Sequence, residues 1–219
     1  MATAVNISSV RSPRRAEGLR IAHALLRRSN ARAPTEFPMT CTSLDELSPT
    51  FSINGVRYDE PKAALRHLGR NTNMGRSGQS LYPEGNEAAC QVDRIVNTTD
   101  TFLKDFMAAV EEQDTRKKGY LVTALNGTFA GMLTKLHAGK PQARGTFFCV
   151  GKSLTIADLQ VYAVLAVVDT MPLEGFNTVI GSGAWRAANN AMLVQCRVIA
   201  SNEQIQEGKQ YYLAKGSDI

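Results

Sequence analysis

Ser153-Leu154-Thr155-Ile156-Ala157-Asp158-Leu159-Gln160-Val161-Tyr162-Ala163-Val164-Leu165-Ala166-Val167-Val168 decides the fold. Thr155 followed three residues later by Asp158 is a capping-box variant: the hydroxyl takes an orphan N–H, and the carboxylate reaches back to the cap. The residues that follow are apolar on every side, the pattern of a helix enclosed by other helices. At ~1.5 Å per residue the stretch from Thr155 to Val168 is about 21 Å long, too short to span a bilayer. A large helical domain must surround it.

The chain has 219 residues, enough for one large domain or two small ones with a real core. No apolar run approaches the ~18 residues that a membrane span needs. The net charge of +5 is unevenly placed: Arg11, Arg14, Arg15, Arg20, Arg27, Arg28 and Arg32 face a single acid, Glu17, in the first 35 residues. This start reads as a folded helix with a basic outer face in a cytoplasmic protein, with a mitochondrial presequence as the alternative. Basic residues elsewhere are diluted by acids, and no aromatic-studded basic strand accompanies them, which argues against a nucleic-acid partner. Cys41, Cys90, Cys149 and Cys196 are widely spaced, with no C-x-x-C and no nearby His, so they read as reduced thiols and not as a metal site.

Outward from the core helix, periodicity divides the chain. Ala4 to Val10 reads as a short strand, and Ser12-Pro13 opens a helix. Leu19, Ala22, His23 and Leu26 form its buried stripe, with Arg14, Arg20, Arg27 and Arg28 outside or along its margins. Thr50 to Tyr58 reads as a hairpin around Asn54-Gly55, and Glu60-Pro61 starts a helix carrying Ala64, Leu65 and Leu68. Asn71 to Gly85 is polar, Gly-containing and without period, a linker. Beyond it lie helices over 87–112, 120–136 and 155–168, with weaker ones near 184–199 and 201–209. The expected fold class is α/β followed by an all-α bundle: a small layered domain over 1–70, a linker over 71–85 and a helical domain over 86–219. Gly145 to Ser153 imitates a phosphate loop, but five residues separate its glycines where the motif needs four.

Particular residues then meet a known family. Glu87-Ala-Ala-Cys90-Gln-Val92-Asp93-Arg-Ile95-Val96-Asn97-Thr98-Thr-Asp100 closely resembles the start of the helical bundle in sigma-class glutathione transferases, the class that includes prostaglandin D synthases. Ser153-x-Thr155-x-Ala157-Asp158 looks like the capped core helix of the whole superfamily. Arg15-Ala16-Glu17 is similar to the family's R-A-E segment, Pro49 falls where the family keeps a cis-proline, and Leu81-Tyr82-Pro83 matches the end of its linker. The resemblance implies a thioredoxin-like domain followed by a helical domain, usually in a two-fold dimer. It also implies glutathione as co-substrate, with a hydroxyl near the end of the first strand favouring the thiolate that attacks an electrophile.

By position the resemblance assigns Ser9 to that hydroxyl, where the sigma class uses a tyrosine, and retains Arg15. Phe37 stands where the class has a tryptophan, and Ser48 and Pro49 occupy the place that pairs with the cysteinyl moiety. The family's Gln-Ser or Glu-Ser pair, whose serine binds the γ-glutamyl carboxylate through Oγ and N–H, is here Glu60-Pro61. Proline removes both donors yet suits a helix start. Losing two charge-assisted bonds at ~1.5–3 kcal/mol each implies binding weaker by about two to four powers of ten. The carboxylate that approaches the ligand across the dimer has become Asn97, while Asp93 and Asp100 persist.

Two functions follow from this pattern. One is a non-catalytic glutathione-transferase-like pseudoenzyme acting as an interaction or assembly module, a homodimer or a subunit of a larger assembly, with the basic first helix as contact face for an acidic partner. The other is a working sigma-like transferase using Ser9 in place of tyrosine.

Overall fold

The computed structural model describes residues 17–29, 39–41, 51–53, 55–74, 79–138, 148–171, 173–176, 194 and 196–214. A helix α1 (Glu17–Ser29) precedes strands β1 (Met39–Cys41), β2 (Phe51–Ile53) and β3 (Val56–Tyr58) and helix α2 (Pro61–Asn71). A short ladder of β4 (Asn73–Met74) and β5 (Gln79–Ser80) leads to helices α3 (Asn86–Glu111), α4 (Thr115–Ala138), α5 (Ile156–Thr170) and α6 (Glu203–Ala214), with a further helical segment over 196–200.

The hairpin forms as its sequence dictates. Ile53 pairs with Val56 across the turn, Phe51 with Tyr58, and Gly55 takes φ 76°, a backbone state that glycine adopts without strain. Phe51 and Ile53 are buried and Ser52 between them is half-buried, the period-2 alternation of a strand with one face on a core. On its other edge β2 pairs antiparallel with β1, Thr40 opposite Ser52. Both edges of β2 are taken, so a further strand could join this sheet only at β1 or β3. The strand expected over Ala4–Val10 lies outside the described residues.

Helix α5 is enclosed as expected. Every side chain from Ile156 to Leu165 is buried, and the helix packs against α1 and α3 and touches α2. Its capping box closes: Asp158 Oδ2 accepts the Thr155 N–H at 2.8 Å and the Thr155 hydroxyl at 2.9 Å. Phe102, Phe106 and Phe129 meet Phe176 in a ring cluster between α3 and α4, with centroids 5.3–6.1 Å apart. Asp114, unremarked in the sequence, sets the start of α4 five residues ahead of the expected Tyr120: its Oδ1 accepts the N–H groups of Arg116 and Lys117 at 2.9 and 3.0 Å.

One expectation is corrected. Arg20 does not lie outside or along the margin of α1: all residues from Gly18 to Leu26 are buried, Arg20 at 4% exposure included. The cause is the helix's position between α2, α5 and α6, which leaves no solvent side over those residues. The notion of a basic contact face loses Arg20 with it; Arg14 lies outside the described residues, as do the side chains of Arg27 and Arg28. Within the segment read as a linker, over 71–85, the described residues make backbone bonds. Leu81 N–H reaches Thr72 O, Tyr82 N–H reaches Gly69 O, and the β4–β5 ladder folds the chain back on itself.

Candidate functional site

Three of the residues assigned by position to glutathione lie among the described ones: Glu60 and Pro61 at the start of α2, and Asn97 on α3. Ser9, Arg15, Phe37, Ser48 and Pro49 lie outside them. Pro61 is the first residue of α2, where its fixed φ suits the helix and its missing N–H costs nothing locally. The N-cap, Glu60, makes no side-chain cap bond, and the amides of Ala63 and Ala64 both close on the Glu60 carbonyl, at 3.0 and 3.3 Å. A helix start normally offers its amides to an anion. Here the first residue, buried Pro61, has no amide N–H to offer.

The start of α2 continues into a polar seam between the two halves of the molecule. Lys62, Arg66 and Arg70 recur at one-turn spacing along α2, opposite Asp93, Asn97 and Asp100 on α3. Arg66 Nε donates to Asp93 Oδ1 at 2.6 Å and Arg66 Nη2 to Asn97 Oδ1 at 2.9 Å. Tyr82 OH donates to the other Asp93 oxygen at 3.0 Å, and the Arg70 guanidinium lies 4.8 Å over the Tyr82 ring. Burial first, then the Asp93 carboxylate, raise the Tyr82 phenol above its ordinary pKa, with Arg70 pulling the other way; the group stays protonated and donating at neutral pH. Lys62 Nζ lies 2.9 Å from Glu60 Oε2 and 3.9 Å from buried Asp100 Oδ2.

The seam joins what the sequence assigned separately. Glu60 reaches α3 through Lys62, and Asn97 is tied to α2 through Arg66. Asn97 accepts from Arg66 through Oδ1, and its NH2 group is a donor. Lys62 and Arg66 were missed in the sequence, where Tyr82 figured only as part of the linker's end. Their one available signal is the match of basic and acidic residues at helical spacing on two helices, visible only once the helices are known to face each other. Around Arg70, Ser80, Tyr82 and Asn86 the seam opens into a cleft of about 500 Å³.

No protein-family model matches the chain, and no curated protein matches it in sequence. Among solved structures, rat hPGDS complexed with a quinoline superposes with a TM-score of 0.55 and 20% identity, over 88% of this chain and 89% of that one. That protein is a haematopoietic prostaglandin D synthase of the sigma class. The chain has the glutathione transferase fold. Within the glutathione transferase fold, hairpin and α2 belong to the thioredoxin-like part and α3–α6 to the helical part, with the seam between them. Among the described residues no helix is long and apolar enough to cross a membrane.

Proposed function

We propose that this chain is a sigma-like member of the glutathione transferase superfamily whose glutathione site has decayed, and that it works as an interaction or assembly subunit, homodimeric or within a larger complex, in place of catalysis. The observation that carries this reading is Pro61 as the first residue of α2. A carboxylate arriving at that helix start meets a pyrrolidine ring where recognition needs an N–H and a hydroxyl. Two further features support it. The Asn97 carbonyl oxygen is engaged by Arg66 of the same chain, and the Glu60 carboxylate is paired with Lys62. A fold hosts many functions, so the site and not the architecture decides.

The test is retention on immobilised glutathione together with conjugation of chlorodinitrobenzene. The expected outcome is no retention at millimolar glutathione, no turnover above the uncatalysed rate, and a solution mass of twice the monomer or more. Pro61→Ser restores an N–H and a hydroxyl to the helix start and is expected to strengthen glutathione binding at least tenfold. Tight retention with turnover that disappears in Ser9→Ala would replace this reading with the Ser9-dependent enzyme.

A further inference from the structure

We draw no further inference here: the strongest candidate, the cleft of about 500 Å³ at the end of the α2–α3 seam lined by Arg70, Ser80, Tyr82 and Asn86, rests on one exposed guanidinium and the start of α3, and nothing in the structure shows what would occupy it.

Discussion

Asp158 carries three hydrogen bonds on one fully buried carboxylate: the Cys149 N–H at 2.7 Å, the Thr155 N–H at 2.8 Å and the Thr155 hydroxyl at 2.9 Å. Half of this was legible in the sequence, because a capping box is a local pattern with a fixed spacing. The bond to Cys149 was not, since it closes a loop nine residues back whose geometry no periodicity encodes. Asp158→Ala orphans two buried amides at ~1–3 kcal/mol each, so urea denaturation is expected to show a loss of about 3 kcal/mol. Burial is the largest influence on the carboxyl and raises its pKa, against the pull of the bonds from Cys149 and Thr155. With the native value above the unfolded one, the native state binds the proton more tightly. The stability this group contributes is therefore complete below the unfolded pKa and is lost as pH rises through the native one. Melting temperatures of the unaltered protein and of Asp158→Asn, which does not titrate, are expected to diverge in favour of the former as pH falls from 7 to 4. A gap that narrows on acidification would place the native pKa below its ordinary value.

At the scale of elements, two helix glycines have opposite surroundings. A Cβ on Gly127 in α4 meets nothing within 4 Å, whereas one on Gly69 in α2 lies 2.6 Å from Ile156 Cγ2 and 3.3 Å from Tyr82 Cβ. Both substitutions remove the same backbone entropy penalty, about 0.5–1 kcal/mol in a helix interior. Gly127→Ala is expected to realise that gain, while Gly69→Ala displaces a fully buried β-branched side chain and loses about 1–3 kcal/mol net. Urea midpoints moving in opposite directions check the pair; a rise in both would mean that α2 and α5 part readily at their contact. The elements themselves were largely legible: the hairpin, α2, α3 and α5 fall within two residues of their expected bounds because each has a strong period or turn signal. Arg20 misled because charge was read as exposure. In a helix covered on three sides, the arginine stem packs with the core, and only the neighbours reveal it.

At the scale of the whole molecule, the described residues of the two halves share backbone bonds and buried contacts. The polar run from Asn71 to Gly85 reads as a linker because composition reports side chains, while its described residues are fastened by backbone bonds. Ser80 Oγ and the Tyr82 N–H both bind Gly69 O, and Leu81 O accepts the N–H of Ile156, the first amide of α5. Helix α1, from the first half, is packed between α5 and α6 of the second, and a Cβ on Gly208 would lie only 3.0 Å from Ile21. The buried side chains of both halves form one continuous core. Opening the halves would expose the apolar faces of α1 and α5 together, a loss that neither half recovers by itself. Residues 1–85 expressed alone are therefore expected to lack stable helix by circular dichroism. In the full chain, hydrogen exchange read by mass spectrometry is expected to give α1, α2 and α5 amides the same opening free energy, with exchange rising together as denaturant is added. Earlier release of α1 and α2 would show that the two halves hold separate cores, and the coupling through Leu81 and Gly69 would then be too weak to join them.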